Sequence, residues 1–195
     1  MKPLNVFINE SSDELNALFR YLKDNERDDE FAFKHPVRKR GELLFHFSGP
    51  DEATDIMKNG FKIGTSLRHL HNTETGANSD ETGKYNFAYD FATVKRDLKG
   101  CTAYGEYMVV FVSDCVICRH QYDEDKQAIF INRDAKPVCA LHVDYHWYTK
   151  GQDYVDLITK ENQGGFLRWT LKKYEDRLRD VGIDYDRLNF NNCKF

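Results

Sequence analysis

Three short apolar runs in the second half of the chain constrain the fold more than any other feature of the sequence. They are Tyr107–Val112, Ala128–Ile131 and Val138–Val143, and charged turns such as Asp123–Lys126 separate them. Runs of this length between turn residues are typical of strands, and their close spacing favours antiparallel pairing. No apolar run approaches the roughly 20 residues that a membrane-spanning helix needs. We therefore expect a soluble protein built on an antiparallel sheet.

Helical patterns flank this predicted sheet. Three amphipathic or capped stretches predict helices, over residues 11–22, 51–59 and 166–178. The first begins with Ser11 and Glu14, whose spacing matches a capping box. Because helices and antiparallel strands occur in separate runs, the sequence predicts the α+β class.

The pattern also suggests boundaries along the chain. The basic segment 31–41 reads as a loop or linker, and the polar stretch 65–84 reads as a long loop. We expect an N-terminal helical extension over residues 1–40 and a core over residues 41–148. A C-terminal helical segment that packs on the core is expected over residues 149–195.

Charge and cysteine content exclude several classes of function. The chain has 28 Lys and Arg against 32 Asp and Glu, a formal net charge of -4, so no global basic field attracts nucleic acid or anionic lipid. Five cysteines, an odd number in a chain of 195 residues, favour free thiols in a reducing compartment. The N-terminus lacks the apolar segment of a signal peptide. We expect a cytosolic protein without a membrane partner.

A strand that ends in histidine, followed by a tight turn and a helix, is the first of three motifs that point to chemistry. It reads Leu44-Phe-His-Phe-Ser-Gly-Pro50, and its helix closes in a Gly-Phe turn. This unit resembles the opening of the ADP-ribosyltransferase superfamily, in the branch related to diphtheria toxin and the poly(ADP-ribose) polymerases. The resemblance implies that His46 and Ser48 hold the adenosine-side ribose and the nicotinamide amide of NAD, with Phe47 and Gly49 in the same site.

An aromatic-rich strand that runs into a helix is the second motif. It reads Tyr85-Asn-Phe-Ala-Tyr-Asp-Phe-Ala92, and the resemblance implies that a tyrosine of this element stacks on nicotinamide. Asn86 stands where tyrosine is usual in the family. Tyr85 or Tyr89 is therefore expected to take the stacking role, with Phe87 also in the NAD site.

The third motif begins at Gln127, which occupies the position of the glutamate that is usual in the family. The resemblance implies a His-Tyr-Gln triad in which Gln127 binds the ribose. An amide donates and accepts hydrogen bonds but cannot act as a base. Deprotonation of the acceptor is therefore expected from Glu124 or Asp125, unless the acceptor is itself nucleophilic.

The resemblance spans about residues 43–143 and carries a fold and an activity with it. It implies two antiparallel sheets packed around an NAD cleft, with flanking helices. It also implies a mono-ADP-ribosyltransferase that uses NAD as co-substrate, releases nicotinamide and modifies a macromolecular acceptor, with protein favoured over nucleic acid. Small stand-alone transferases of this kind resemble bacterial or phage toxins and effectors. We expect a monomer that is cytoplasmic, or that reaches a host cytosol by a route independent of a signal peptide.

Two alternatives remain open from the residues. Cys115, Cys118, Cys139 and His142 have the paired spacing of a zinc site, with His120 and His146 in reserve, and would suit a zinc-stabilised binding module without catalysis. Residues three apart on a strand point to opposite faces, however, which favours these cysteines as small buried hydrophobes. A transferase fold that binds NAD or ADP-ribose without turnover is the other alternative, because a glutamine replaces the carboxylate. Taken singly, each motif also fits a purely structural role.

Overall fold

The chain combines helices with antiparallel strands, which confirms the α+β class. The computed structural model describes residues 4–26, 33–62, 64, 84–120, 126–143 and 171–188. The strands are β1 (Phe33–Ser48), β2 (Tyr85–Asp90), β3 (Tyr107–His120), β4 (Lys126–Ile131) and β5 (Lys136–His142). The helices are α1 (Leu4–Asp24), α2 (Pro50–Asn59), α3 (Phe91–Arg96), α4 (Leu98–Cys101) and α5 (Glu175–Asp180), with short 3-10 turns at Thr102–Tyr104, Asn132–Asp134 and Tyr185–Arg187.

The five strands are hydrogen-bonded into one sheet, in the order β1-β2-β4-β3-β5, and β1 also pairs with β3. The pairs β1–β2, β3–β4 and β3–β5 are antiparallel, as the apolar runs predict. The expectation of two separate sheets is wrong at the level of hydrogen bonding. The reason is length: β1 has 16 residues and β3 has 14, so each pairs with more than one neighbour.

Two compact units interleave along the chain. The first contains Met1–Glu42, Gly60–Ala88 and Ser113–Ala135, and the second contains Leu43–Asn59, Tyr89–Val112 and Lys136–Phe195. β1, β2 and β3 each contribute residues to both units, and the expected divisions at residues 40 and 148 stay predictions.

The core of the first unit forms beneath α1. Residues of this helix spaced three and four apart bury their side chains against β2, β3 and β4, as an amphipathic stripe predicts. Its buried members are Leu15, Leu18, Leu22, Tyr85, Val116, Cys118, Ile129 and Ile131.

The core of the second unit is larger. It joins alternate residues of β1, β3 and β5 to apolar side chains of α3, α4 and the C-terminal region. Leu171, Leu178 and Tyr185, which lie in the C-terminal part of the chain, are among its buried residues. The part of the predicted helix before residue 171 lies outside the described residues.

The segment 31–41 is a strand from Phe33 onward, so the expectation of a loop or linker is wrong for residues 33–41. Polar contacts hold this charged strand in place. Arg38 donates to the side chain of Asn16 on α1, and its guanidinium lies 3.8 Å from the Asp114 carboxylate. The Gly41 amide donates to the same carboxylate at 2.8 Å. These partners lie far away in sequence, which is why local composition suggested a loop.

The first helix begins at Leu4, seven residues before the predicted capping box, so Ser11 lies inside it. The second helix follows the prediction closely: α2 carries Asp51 and Glu52 in its first turn and ends before Gly60, whose φ is +76°. Most of the polar stretch 65–84 lies outside the described residues. None of the described helices has the length and apolar character needed to cross a bilayer.

Candidate functional site

The end of β1 in the second unit carries two of the predicted site residues. Phe45 and Phe47 point into the core of this unit, so His46 and Ser48 point to the opposite face. The Ser48 side chain is 1% exposed, and its Oγ has no hydrogen-bond partner within the described part of the chain. A buried hydroxyl without a partner is rare in proteins. Its hydrogen-bonding capacity is therefore unused among the described residues.

The first turn of α2 places a carboxylate beside His46. Gly49 separates β1 from α2, and its carbonyl accepts the first helical hydrogen bond from Ala53 at 3.0 Å. Glu52 Oε1 then lies 3.8 Å from His46 Nε2. The imidazole is 15% exposed and the Glu52 side chain 52% exposed. The pair thus has a buried member and a solvent-facing member.

The turn before β3 packs directly against the end of β1. Gly105 has a φ of +150°, and a Cβ built on it would lie 2.1 Å from the carbonyl carbon of Ser48. Only glycine fits this close backbone approach. The preceding residue, Tyr104, is 68% exposed, and its ring centroid lies 6.3 Å from that of Tyr89. Sequence reasoning missed Glu52, Tyr104 and Gly105; a tyrosine followed by glycine just before a strand was the signal for the last two.

The two candidate stacking tyrosines lie in different units. Tyr85 is 4% exposed and belongs to the core beneath α1. Tyr89 is half-buried in the second unit, where it lies opposite Phe45 in the β1–β2 register and its ring is 6.1 Å from Phe47. Tyr89 therefore shares a unit with His46, although it points to the other face of the strand pair.

The remaining candidates belong to the first unit or lie beyond the described residues. Gln127 is half-buried near the start of β4, directly opposite Cys118, whose Sγ donates to the Gln127 carbonyl at 3.7 Å. Phe87 is half-buried and stacks on Phe33 with ring centroids 5.9 Å apart. The two possible bases, Glu124 and Asp125, lie outside the described residues.

The predicted zinc ligands lie in pairs on two strands. Cys115 and Cys118 lie on β3 in the first unit, whereas Cys139 and His142 lie on β5 in the second. Among the described residues, no group of three or more histidine, cysteine or acidic side chains could hold a metal ion. The described residues thus give the zinc alternative no support, and it stays a prediction.

Burial explains the state of these thiols. The four cysteines in the described part of the chain, Cys101, Cys115, Cys118 and Cys139, are buried and form no disulfide there. Burial raises the pKa of the Cys139 thiol from 9.0 to about 12, against a smaller opposing effect of Arg177, and raises the pKa of Cys118 further. Thiols in such surroundings stay protonated at neutral pH, whereas zinc binds the thiolate. The interpretation of the cysteines as small buried hydrophobes is confirmed.

In the second unit, His46 and Ser48 lie at the end of β1 on the face opposite Phe45 and Phe47. Tyr89 and Tyr104 are neighbouring rings in the same unit, and Tyr89 lies on the Phe45 side of the strand pair. Comparison of the chain with protein-family models, with curated proteins and with solved structures found no match.

Proposed function

We propose that the protein is a mono-ADP-ribosyltransferase that moves ADP-ribose from NAD to a macromolecular acceptor, most simply a protein target of a toxin or effector. The buried hydroxyl of Ser48, two residues after His46 on β1, has no hydrogen-bond partner among the described residues, and this observation carries the proposal. Leaving a buried polar group unsatisfied costs about 1–3 kcal/mol. A ligand that completes the hydrogen bond recovers this free energy, which makes Ser48 a natural anchor for the nicotinamide amide.

The neighbouring side chains have roles that suit the rest of NAD. His46 precedes Ser48 on the same face of β1, and its imidazole can bind a ribose hydroxyl. Tyr89 keeps the stacking role that its motif implies, beside the exposed ring of Tyr104. The ribose-binding role of Gln127, which lies in the first unit, stays a prediction from its motif.

The reaction balances without a further cofactor. The bond between C1′ of the ribose and the nicotinamide nitrogen breaks, and nicotinamide leaves with the bonding electron pair. A nucleophilic nitrogen or oxygen of the acceptor forms the new bond to C1′ and loses its proton to a base. The transition state carries positive charge on the ribose, so hydrogen bonds to the ribose hydroxyls are expected to strengthen as the bond breaks.

Nicotinamide release and transfer of adenylate-labelled ADP-ribose in a cell lysate test the proposal. We expect label on a discrete macromolecule with the wild-type chain, and a loss of at least about tenfold in His46→Ala and Ser48→Ala. His142→Ala is the matched control, because His142 lies in the same unit, is 47% exposed and pairs with Glu106 at 3.4 Å. Circular dichroism of each variant separates lost activity from lost fold. The proposal is contradicted if the wild-type chain neither releases nicotinamide nor binds NAD.

Binding of NAD without turnover is a second candidate, favoured by the amide of Gln127 at the position of a carboxylate. Calorimetric titration with NAD distinguishes the two functions. Binding that depends on Ser48, with no nicotinamide released in any lysate, would support the second candidate. Release that depends on His46 would exclude it.

A further inference from the structure

The Ser48 hydroxyl is buried in the free protein, so a ligand can reach it only when part of the structure moves. Ser48 is 1% exposed, and its Oγ has no hydrogen-bond partner among the described residues. A molecule that bonds to this oxygen therefore needs a neighbouring segment to move aside. The segment that is held by the least buried surface has the lowest free energy of local opening.

The two segments that adjoin Ser48 along the chain are fixed by packing. Before it, β1 buries Phe45 and Phe47 in the core of the second unit. After it, α2 buries Ala53 and Ile56. Movement of either element would expose apolar side chains to water, which is unfavourable. Neither element is therefore the segment that opens most readily.

The turn Thr102–Gly105 lies against Ser48 but buries none of its own side chains. A Cβ built on Gly105 would come within 2.6 Å of Ser48 Cα, the atom from which the hydroxyl-bearing side chain branches. All residues of the turn are at least partly exposed, and Tyr104 is among the most exposed large side chains that the structure describes. Burial of apolar surface therefore does little to hold this turn in place.

Both ends of the turn are anchored, as the ends of a hinged segment must be. Cys101, immediately before it, is buried in the core of the second unit. Glu106, immediately after it, accepts a hydrogen bond from the Val143 amide at 2.7 Å through its carbonyl. Gly105 has a φ of 150° and a ψ of 158°, a region that essentially only glycine adopts. A glycine at this end can absorb a large change of backbone angle.

We propose that the turn Thr102–Gly105 is a movable cover of Ser48, which swings away from the end of β1 to admit a ligand to the hydroxyl and closes over the bound ligand. The contact between the rings of Tyr104 and Tyr89 keeps the cover closed in the free protein. That the ligand is NAD rests on the proposed function, whereas the opening of the turn is a property of the free protein.

Thiol labelling of Ser48→Cys tests the cover without any ligand. Methyl methanethiosulfonate reacts with a thiol only while it is exposed, and mass spectrometry identifies the labelled peptide. We expect this thiol to react at least about tenfold faster than that of Ser113→Cys, a serine buried in the first unit, because only local opening is needed. Urea well below the unfolding transition should leave the rate unchanged, since local opening exposes little surface. Equal rates for the two thiols, or a steep rise of the Ser48→Cys rate in such urea, would overturn the proposal.

Two substitutions in the Ser48→Cys chain assign the opening to this turn. Tyr104→Ala removes the ring contact with Tyr89, so we expect labelling to become about two- to tenfold faster. Tyr107→Ala is the matched control, because that tyrosine lies on β3 and its ring is 5.0 Å from the His142 ring; its removal should leave the rate unchanged. An unchanged rate in Tyr104→Ala, or an equal rise in both variants, would mean that another segment moves and would overturn the proposal.

Hydrogen exchange of the wild-type chain links the cover to the ligand. We expect saturating NAD to slow exchange of the Gly105 amide at least about tenfold, because closure preserves its bond to the Thr102 carbonyl. The Gly182 amide, which donates to the Arg179 carbonyl at 3.0 Å, is the control and should exchange at the same rate with and without NAD.

This measurement needs no substitution, so it tests the cover even if Ser48→Cys does not fold. Bound NAD that leaves Gly105 exchange unchanged would overturn closure over the ligand. If the chain does not bind NAD, the proposed function fails, whereas the labelling rates still decide whether the turn opens.

Discussion

Ser48 is the residue at which stability and function are expected to oppose each other. A buried hydroxyl without a partner destabilises the folded chain, so we expect Ser48→Ala to leave the free energy of unfolding unchanged or to raise it by up to about 1 kcal/mol. NAD binding by the same variant should fall about tenfold. Urea unfolding and calorimetric titration measure the two quantities.

Ser113→Ala is the matched control for that prediction. Ser113 is also buried, at 3% exposure, but its Oγ donates to the Asp114 carbonyl at 2.9 Å. Removal of a satisfied hydroxyl should lower the free energy of unfolding by about 1 kcal/mol. If Ser48→Ala destabilises the chain as much as Ser113→Ala does, the Ser48 hydroxyl has a structural partner and the proposed anchor is lost.

Gly105 is the second residue whose backbone defines the site. An added Cβ would meet three backbone atoms of Ser48 within 2.6 Å, in a conformation that side chains rarely adopt. We expect Gly105→Ala to lower the free energy of unfolding by about 2–4 kcal/mol in urea titration, since both backbones must shift. Gly182→Ala is the control, because Gly182 has a φ of +90° with nothing within 4 Å of its Cβ position, and should lose about 1 kcal/mol. If Gly105→Ala and Gly182→Ala lower the free energy of unfolding equally, the close approach to Ser48 adds nothing to the cost of the Gly105 substitution.

Among the elements, α1 is tied to the sheet of the first unit by charge as well as by its apolar stripe. Glu14 Oε2 lies 2.7 Å from the Arg133 guanidinium, and Oε1 lies 3.1 Å from Lys84 Nζ. These groups are partly exposed, so we expect Glu14→Gln to lower the free energy of unfolding by about 1 kcal/mol, with the loss shrinking in high salt. Asp13→Asn, one residue away and exposed, should change it by less than half as much. A loss that does not depend on salt would contradict the ionic origin.

The same helix shows what sequence reasoning could reach at this scale. The spacing of Leu15, Leu18 and Leu22 predicted the buried face of α1, because periodicity reports directly on burial. Its start was predicted wrongly, because Ser11 and Glu14 match a capping box whereas the helix begins at Leu4. Glu14 instead contacts residues at positions 84 and 133. Local sequence patterns predicted which segments form helices and strands. Contacts between residues distant in sequence determine where those helices and strands begin and end.

At the scale of the whole molecule, each motif predicted its own local structure, whereas the order of the motifs along the chain did not predict how the chain divides into units. The strand, turn and helix around His46 follow from local signals, and the structure has them where the sequence predicts them. The division of the chain into two units was not predictable, because a strand such as β3 reads as one apolar run up to Val112 and continues to His120 with residues of the other core. Tyr104 and Glu52 were missed because a turn and a helix bring them to β1.

The buried cysteines couple the stability of the whole chain to alkaline pH. Burial raises the pKa of Cys139 from 9.0 to about 12, and burial together with Asp97 and Asp90 does the same for Cys101. Below pH 9 these thiols are protonated in both the folded and the unfolded chain, so they add no pH dependence. Between about pH 9 and 12 the unfolded chain loses protons that the folded chain keeps, and the free energy of unfolding must fall as pH rises.

We expect each of these thiols to contribute about 1–2 kcal/mol to the fall between pH 8 and 10.5, measured by urea unfolding under reducing conditions. Tyrosine and lysine side chains also titrate there, so the comparison is between the wild type and Cys139→Ala. This variant is less stable at pH 8, because it leaves a cavity, but its stability should fall less steeply with pH. Parallel curves for the two chains would mean that the Cys139 thiol ionises alike in the folded and unfolded states, contrary to its burial in the core of the second unit.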